Sequence, residues 1–446
     1  MTCLLEKFFH LRELNTNVRT EFIAGITTFM AMAYIIFVNP AMISQTGIDF
    51  GSGLMATCIS AAFATILMGL YANYPIALAA GMGENAFFTY TVCMTMAIKW
   101  QVALACVFIE GLIFFILTLT KLRQSIMDAI PFSIRYSTAC GIGMLIAFIG
   151  LVNAGIIVKH PATLVTLGDL LSPAAMLSMF GLLVTAVLLI RNIRGGMLWG
   201  ILITAGVGMV AGLVKWQGLV SMPPSMAPTF MKMDLAGAMN VGLVSIIFIF
   251  LFMGIFDTVG TLSGVAELGG FTTKDGKLPR AGKALMADAI GTCVGAACGT
   301  PTVTCYIESA AGIASGGKTG LASVFTGLAL LLTIFFFPLV KMIGGGCQSP
   351  DGSVLYPITA PILVIVGCMM LRSVTKINWN DYSEAIPSFL VILIMPLSFS
   401  IATGIAMGFV SYAVLKLLTG KGKEVSWLVY LLAVLFILRF VYLKSL

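Results

Sequence analysis

Apolar runs long enough to cross a membrane follow one another along almost the whole chain. A helix needs about 20 mainly apolar residues to cross ~30 Å of hydrocarbon. Fourteen apolar runs are candidate spans, two of them short (84–98 and 304–315). They lie at residues 21–40, 53–71, 84–98, 101–120, 132–152, 173–190, 197–214, 240–266, 283–299, 304–315, 319–340, 355–371, 386–401 and 402–418. The sequence therefore predicts an all-α polytopic membrane protein with fourteen spans. A further apolar stretch, 426–442, contains Arg439 and either crosses the bilayer or lies along it.

The composition agrees with a chain whose solvent is lipid. Only 10% of the 446 residues are charged and 59% are hydrophobic, whereas roughly a quarter of the residues of a soluble protein are charged. Two histidines and ten scattered cysteines form no C-x-x-C motif or Cys/His cluster, so we expect no metal site, disulfide framework or cofactor. The net charge of +7 sits in short loops and indicates membrane topology, not nucleic-acid binding.

The distribution of lysine and arginine predicts the orientation. With the N-terminal segment, residues 1–20, in the cytoplasm, the more basic loops all lie on the same side. This obeys the positive-inside rule. We therefore expect a multi-pass protein of the cell membrane, plasma or inner, with a cytoplasmic N-terminus.

One string mimics a nucleotide site. Gly312 to Thr319 fits the pattern G-x-x-x-x-G-K-[ST], in which backbone amides hold phosphates. Such a loop needs a soluble α/β domain around it, but the following residues 321–340 are apolar on every side. We therefore interpret the string as a tight cytoplasmic turn between two spans and predict that the protein is not an enzyme.

Two stretches half a chain apart indicate an internal repeat. "LMATCISAAFATILMG" (54–69) and "LMADAIGTCVGAACG" (285–299) share their first three residues and a run of small ones. Each precedes an unusually short apolar segment beside Gly or Pro, "YPIALAAGMGENAFFTY" (74–90) and "TPTVTCYIESAAGI" (300–313). Seven spans per half make the repeats inverted, an arrangement in which broken helices meet near the midplane. We expect a short strand and a half-helix in each segment.

Carboxylates inside apolar runs indicate the functional site, because a charge at the bilayer centre costs at least about 2.5–3.5 kcal/mol. Six lie in or near the spans: Glu84, Glu110, Asp257, Glu267, Asp288 and Glu308. Glu267 and Asp288 fall near cytoplasmic ends, where we expect them to face water or to pair with Lys283 or Arg280.

Asp257 and Glu308 have the most informative surroundings. Asp257 lies deep in its span between Gly254 and Gly260, which predicts a loosened helix there. Glu308 stands where the extended "TVTCYI" meets the "SAAGI" half-helix, at the positive end of the helix dipole. Asn85, at the matching place of the first repeat, offers both a donor and an acceptor. A structural cap of the broken helices is the alternative role for these three residues.

Four motifs carry a family resemblance. "EFIAGITTFMAMAYIIFVNP" (21–40), "GMGENAFFTY" (81–90), "GIFDTVGTLSGVAELGG" (254–270) and "TPTVTCYIESAAGIASGGKTGLASVFTGL" (300–328) resemble the azaguanine-resistance-type purine permeases of the nucleobase-cation symporter 2 group. The resemblance spans about residues 15–440. It implies a uracil-permease-like fold of seven plus seven spans, proton-driven uptake of purine bases, and binding positions at Asn85, Asp257 and Glu308. Glu84 departs from the apolar residue expected at its place.

The resemblance also implies a core domain that moves against a gate domain. The core would comprise residues 21–120 (spans 1–4) and 240–340 (spans 8–11), and the gate residues 132–214 (spans 5–7) and 355–418 (spans 12–14). Small residues are frequent in the core spans and allow close helix approach.

A purine base suits these groups chemically. It is flat and neutral near pH 7, and a carboxylate can accept two of its N–H groups in one plane. Asp257 and Glu308 would hold its edges, while Phe256, Phe87, Phe88 or Tyr306 offers an aromatic face; plain helix packing is the alternative for these rings. We expect Glu308 or Asp257 to carry the coupled proton, with Glu84 as a third position.

Three other classes fit less well. A channel would need polar rings along a continuous pore, an anion transporter would need a fixed cation at the half-helix ends, and a membrane enzyme would need a nucleophile or metal constellation. The sequence leaves open which purine is carried, whether a homodimer forms, and the role of Glu84. Proton coupling is favoured over sodium coupling.

Overall fold

The computed structural model describes residues 2–120, 131–239, 243–271, 278–348, 352 and 354–442, apart from the side chains of residues 2–5, 256, 259, 263, 267 and 439–442. The helices of the first half are α1 (Thr2–Phe9), α2 (Val18–Met32), α3 (Ile35–Ile43), α4 (Phe50–Leu67), α5 (Met82–Ala86), α6 (Trp100–Thr120), α7 (Phe132–Asn153), α8 (Pro173–Ile190) and α9 (Gly196–Val210). Two π-helical stretches, Met68–Ala72 and Phe87–Thr95, extend α4 and α5.

The remaining helices lie in the second half of the chain. Its helices are α10 (Leu235–Ala238), α11 (Val244–Gly269), α12 (Ala281–Cys298), α13 (Ser309–Ala314), α14 (Gly320–Leu332), α15 (Phe337–Gly344), α16 (Ala360–Leu371), α17 (Tyr382–Ser398), α18 (Ile401–Leu418) and α19 (Trp427–Tyr442).

Eight helices of the described residues are long and apolar enough to cross a membrane. They cover Val18–Thr46, Phe50–Ala72, Trp100–Thr120, Phe132–Asn153, Pro173–Ile190, Val244–Ala266, Gly320–Gly344 and Ile401–Leu418. Shorter apolar helices lie at Gly196–Val210, Tyr382–Ser398 and Trp427–Leu438. The prediction of a mainly helical, membrane-type fold is confirmed.

In the part of the chain that the structure describes, six short strands form three two-stranded antiparallel sheets. β2 (Ile157–His160) pairs with β3 (Leu164–Leu167), and β5 (Cys347–Gln348) pairs with β6 (Val354–Leu355). The third sheet joins the two halves of the chain: β1 (Leu78–Ala80) pairs with β4 (Val303–Cys305). All six residues of this sheet are buried, and its strands lie in the two short segments in which strands are predicted.

Glycines allow the helices around this sheet to approach closely. The backbones of Gly69 and Gly320 are in direct contact, and a Cβ on either residue would overlap the backbone of the other. Gly291 and Gly295 on α12 likewise face Val303 of β4. Small residues at these positions bring helix backbones and the strand pair together as the sequence pattern predicts.

The helices contact one another in two main sets. In one, α14 packs on α2 and α4, α12 packs on α4 and α6, and α11 packs on α6. In the other, α7 packs on α16 and α17, α17 packs on α18, and α8 packs on α9. α19 packs on α18, where the Phe409 and Phe436 rings lie 6.0 Å apart.

Candidate functional site

The site is built around the ends of β1 and β4. Leu78 pairs with Cys305, Ala79 with Thr304 and Ala80 with Val303. The ladder continues at both ends, where the Gly81 amide donates to the Thr302 carbonyl (2.9 Å) and the Tyr306 amide to the Ala77 carbonyl (2.9 Å). Because the strands are antiparallel, α5 and α13 leave the sheet from opposite ends. Each short helix begins with its free amides beside the strand pair.

Glu308 lies at the N-terminus of α13, as predicted. It is the residue before the first helical residue, and its side chain makes no capping bond to the helix. Its Oε1 instead accepts a 2.8 Å hydrogen bond from the Tyr34 hydroxyl. Tyr34 is buried at the two-residue break between α2 and α3. The first span therefore supplies a partner that the sequence analysis did not identify.

Asp257 is partly exposed on α11 and faces the same region. It is close enough to Glu308 and Asp288 to interact with them electrostatically, and it interacts with the Thr304 hydroxyl of β4. The structure thus brings together the two carboxylates predicted to bind substrate. The predicted loosening of the helix is wrong, because α11 is a continuous α-helix from Val244 to Gly269. Gly254 instead allows α6 to approach: its missing Cβ would lie 2.8 Å from the Phe114 ring.

Asp288 is buried, with 1% of its surface exposed. Its Oδ2 accepts a 2.8 Å hydrogen bond from the Thr258 hydroxyl, which lies 3.0 Å from the Thr304 hydroxyl. The prediction that Asp288 faces water near a cytoplasmic end is therefore wrong. A threonine next to Asp257 supplies its donor. The side chain of Glu267, for which the same was predicted, lies outside the described residues.

Glu110 is a fully buried carboxylate of α6. Its Oε2 accepts a 2.9 Å hydrogen bond from the Thr302 hydroxyl, next to β4. The hydroxyls of Thr302 and Thr304 thus reach acidic groups on neighbouring helices from one short strand segment. The "TPTVT" run provides polar contacts where the surrounding helices are apolar.

Glu84 and Asn85 lie on α5 and are buried. The Glu84 carboxylate folds back against Gly81 and is close enough to Asp257 to interact with it electrostatically. Its Oε1 has no hydrogen-bond partner among the described residues. The Asn85 amide nitrogen donates a 2.6 Å hydrogen bond to Asn39 Oδ1 on α3.

The predicted aromatic residues divide into two groups. Phe87 packs edge-on against Phe250, with ring centroids 4.9 Å apart, and both rings are fully buried; Phe88 is also buried. Tyr306 donates a 2.5 Å hydrogen bond to the Ala80 carbonyl, and its ring lies 6.4 Å from that of Tyr34. The side chain of Phe256 lies outside the described residues. Tyr306 is therefore the predicted ring placed beside Glu308.

The G-x-x-x-x-G-K-T string forms a turn whose backbone amides donate hydrogen bonds to the carboxylate of Glu21. Glu21 of α2 accepts hydrogen bonds from the amides of Lys318 (3.0 Å) and Thr319 (3.2 Å) and from the Thr16 hydroxyl (2.8 Å). Gly316 has φ +101°, a left-handed conformation that favours glycine. The amides that a nucleotide-binding loop would offer to phosphate are thus occupied by Glu21.

Access to the site is uneven. Ile307 is 43% exposed, Gly260 is exposed, and Asp257 and Glu308 are partly exposed beside them. Glu84 and Asn85, on the other side, are covered. The exposed surface next to the two carboxylates therefore includes Gly260 and Ile307. Within the described part of the chain, no cluster of three or more His, Cys, Asp or Glu side chains could hold a metal ion.

Many apolar helices around a paired strand, with buried acidic groups beside its ends, define a membrane transporter. The chain belongs to the Permease family, whose sequence pattern matches residues 19–407. The family resemblance predicted from the motifs is thereby confirmed, and the protein is a multi-pass membrane transporter and not an enzyme.

Relatives of known name cover the chain from end to end. A protein of Methanocaldococcus jannaschii named as a permease is 56% identical over 442 residues, covering 99% of each chain. The guanine/hypoxanthine permease PbuG of Bacillus subtilis is 43% identical, covering 99% of this chain and 100% of its own length. The adenine permease AdeP of Escherichia coli is 42% identical, covering 99% and 97%.

Solved structures with a similar fold are more distant in sequence. The transmembrane domain of the cyanobacterial bicarbonate transporter BicA superposes with a TM-score of 0.64 at 15% identity, covering 88% of this chain and 97% of that one. The murine anion transporter Slc26a9, in an inward-facing state, gives 0.58 at 11% identity, covering 94% and 72%. These similarities concern the fold alone.

Proposed function

We propose that the protein imports purine nucleobases by proton symport. The observation that carries this proposal is the pairing of Asp257 and Glu308 at the β1–β4 strand pair, on the side of the site that is accessible. Two carboxylates accept hydrogen bonds and repel anions, so the arrangement favours a neutral, planar ligand with several N–H donors. Relatives named for adenine and for guanine/hypoxanthine support the same class of substrate.

The base would lie between Asp257 and Glu308. Each carboxylate accepts N–H groups of one edge in a charge-assisted geometry, and Asn85 adds a third polar contact. The ring of Tyr306, beside Glu308, supplies an aromatic face worth about 0.5–1.5 kcal/mol. Phe256 remains a proposed contact by its position next to Asp257, whereas Phe87 has a partner in Phe250.

The coupled proton would reside on Glu308 or Asp257. The two carboxylates interact electrostatically, and a negative charge close to a carboxylate favours the uptake of one proton. Glu84, whose Oε1 is buried without a partner among the described residues, is the third proposed position. Proton binding from the outside and release to the cytoplasm would drive accumulation of the base.

The two sets of helices support a core that moves against a gate. We propose fourteen spans in two inverted repeats, with the core at residues 21–120 and 240–340, the gate at 132–214 and 355–418, and α5 and α13 as half-helices at the midplane. β1 and β4 bond to each other within the core, while α7, α16, α17 and α18 contact one another in the gate. The core would slide past the gate and carry the site with it.

We further propose that, with the N-terminus in the cytoplasm of a cell membrane, the accessible side of the site opens inward. Gly260 and Ile307, at the accessible side of the site, would face the cytoplasm. On the other side, the Thr91 hydroxyl donates a 2.8 Å hydrogen bond to the Phe399 carbonyl between α17 and α18. The Phe399 ring also lies 5.2 Å from Phe148 of α7. These contacts would close the external path.

Uptake of labelled hypoxanthine into proteoliposomes tests the proposal. Hypoxanthine should accumulate in the liposomes when the outside is made more acidic than the inside, and it should not accumulate when the gradient is reversed. A protonophore should abolish this accumulation, and sodium should not be required. Unlabelled adenine, guanine and hypoxanthine compete in a panel with uracil and bicarbonate. Absence of purine uptake above that of protein-free liposomes would overturn the proposal, and accumulation insensitive to the protonophore would overturn proton coupling.

A further inference from the structure

We propose that Asn39 is a positioning residue that fixes the amide of Asn85 so that its carbonyl oxygen, and not its NH₂ group, is presented to the substrate. The inference rests on the proposed function, because it takes Asn85 as a substrate contact. It adds a residue of the first span and a chemical direction: Asn85 accepts a hydrogen bond from a ring or exocyclic N–H of the base.

The hydroxyl proton of Thr57 is used within its own helix. The Thr57 hydroxyl donates a 2.6 Å hydrogen bond to the Gly53 carbonyl one turn earlier in α4. A hydroxyl has a single proton, so Thr57 Oγ1 can only accept from any further partner. Asn39 lies 2.8 Å away and must therefore turn its amide nitrogen toward Thr57.

The second proton of the same nitrogen is also used. Asn39 Nδ2 donates a 2.9 Å hydrogen bond to Thr300 Oγ1, in the turn before β4. Both N–H groups of Asn39 are thus directed at threonine hydroxyls on α4 and beside β4. A flipped amide would place its oxygen against the Thr57 oxygen, which has no proton to give. The hydrogen-bond network around Asn39 therefore determines which way its amide group is oriented.

The orientation of Asn39 determines the orientation of the Asn85 amide. With the Asn39 nitrogen occupied, Asn39 Oδ1 faces Asn85 at 2.6 Å and can only accept, so Asn85 must donate through its own nitrogen. Its carbonyl oxygen is left as the free end. Asn85 Oδ1 is buried and has no hydrogen-bond partner among the described residues.

An unpaired acceptor of this kind has a cost. A buried polar atom without a partner has lost its hydrogen bonds to water without replacement, and both asparagines are fully buried. A ligand N–H that reached Asn85 Oδ1 would remove this cost, whereas a ligand acceptor in the same place would be repelled. The network therefore selects for a donor at that edge of the base.

A double-mutant cycle tests the coupling between the two asparagines. The competition constant for hypoxanthine is measured in proteoliposomes for wild type, Asn39→Leu, Asn85→Ala and the double variant, normalised to reconstituted protein. Asn39→Leu should weaken hypoxanthine binding about 3- to 10-fold, the value of one hydrogen bond. On the Asn85→Ala background the same change should have an effect below about 2-fold, because its target is absent.

The choice of replacement separates positioning from packing. Asn39→Asp has the shape of asparagine, and one of its oxygens still accepts from the Asn85 nitrogen. Its second oxygen faces the Thr57 and Thr300 hydroxyls in place of a donor, and it gains a partner only if one of these hydroxyls turns its proton toward it. We therefore expect Asn39→Asp to weaken hypoxanthine affinity less than Asn39→Leu does. Asn39→Leu fills the space but cannot accept. Affinity in the order Asp above Leu supports the inference, and Leu equal to or better than Asp overturns it. If the aspartate does not insert into the membrane, the cycle decides alone.

Thr326→Val is the matched control for loss of a buried polar group. Among the described residues, its hydroxyl bonds to the carbonyls of Gly25 (2.9 Å) and Ala322 (3.0 Å), between α2 and α14. It should leave hypoxanthine affinity within about 2-fold of wild type. If the effects of Asn39→Leu and Asn85→Ala on hypoxanthine affinity are additive, the inference is overturned, but the proposed function of purine transport is not. A wild-type protein that binds no hypoxanthine would overturn both the inference and the proposed function.

Discussion

The Tyr34 hydroxyl donates a 2.8 Å hydrogen bond to the Glu308 carboxylate across 274 residues of sequence. This bond ties the break in the first span to the N-terminus of α13. It holds one oxygen of Glu308, so the other oxygen can be directed at a ligand. Tyr34 thus orients the carboxylate on which the proposed transport depends.

Tyr34→Phe should reduce hypoxanthine affinity about tenfold or more, because hydrogen bonds to charged groups are worth about 1.5–3 kcal/mol. The substitution removes the donor and keeps the ring beside Tyr306. The KM for uptake measures the effect, and Tyr382→Phe, at a tyrosine that is 76% exposed, is the control. A wild-type KM would show that the hydrogen bond does not orient Glu308 for binding.

Glu308→Gln should yield a folded protein that cannot accumulate purine against a gradient. Glutamine can still accept from the Tyr34 hydroxyl through its carbonyl oxygen, but it cannot gain or lose a proton. Uptake is compared with and without a pH gradient. Glu13→Gln, at a side chain that is 76% exposed, should behave as wild type. Proton-dependent accumulation by Glu308→Gln would exclude this residue as the proton carrier.

Asp257→Asn should weaken the binding of purines about tenfold or more, because a charged acceptor is replaced by an amide that also carries donors. Competition constants for adenine, guanine and hypoxanthine provide the measurement. Asp169→Asn, in an exposed loop between β3 and α8, is the matched control. Unchanged constants for all three bases would show that Asp257 is not a ligand.

Gly320→Ala should destabilise the protein severely, by more than the ~1–3 kcal/mol typical of overpacking, since its Cβ would overlap the backbone of Gly69. Backbone atoms cannot turn aside as a flexible side chain can. Gly206→Ala is the control, because no atom lies within 4 Å of its added Cβ. Thermal unfolding in detergent should show a large loss for the first variant and little change for the second; equal melting temperatures would contradict the close contact.

Asp381→Asn should remove part of the acid sensitivity of the fold. Hydrogen bonds from Ser383, followed by the Lys421 ammonium group 3.0 Å away, hold the pKa of Asp381 well below its usual range. A depressed carboxyl pKa stabilises the folded state above the unfolded value of about 3.9, and this contribution is lost as pH falls below it. Melting temperatures from pH 7 to pH 3 should fall less steeply for the variant. Parallel curves would show no contribution from Asp381.

The spans could be predicted because hydropathy is a property of consecutive residues. The run at 132–152 became Phe132–Asn153, and the short segments became a strand and a short helix each. The glycines around them were also informative, although Gly254 serves packing against Phe114 and not a broken helix. Hydropathy thus predicted the membrane-type helical fold, and eight helices of the described residues are long and apolar enough to cross a membrane.

Partners across the chain could not be predicted in the same way. Hydropathy gives no information on which buried polar groups meet, and the bonds of Tyr34 to Glu308, Asn39 to Thr300 and Glu21 to Lys318 each join residues more than 250 positions apart. Asp288 was misplaced for this reason, since its donor Thr258 belongs to another helix. An asparagine or tyrosine inside an apolar run, such as Asn39 or Tyr34, was the available signal.

The β1–β4 strand pair also has a consequence for biosynthesis. Leu78–Ala80 leaves the ribosome more than 200 residues before Val303–Cys305, its hydrogen-bonding partner. Until then its amides and carbonyls have no ladder to complete, and hydrocarbon offers them no substitute. The candidate site, which contains residues of both strands, is therefore complete only when the second half of the chain has been synthesised.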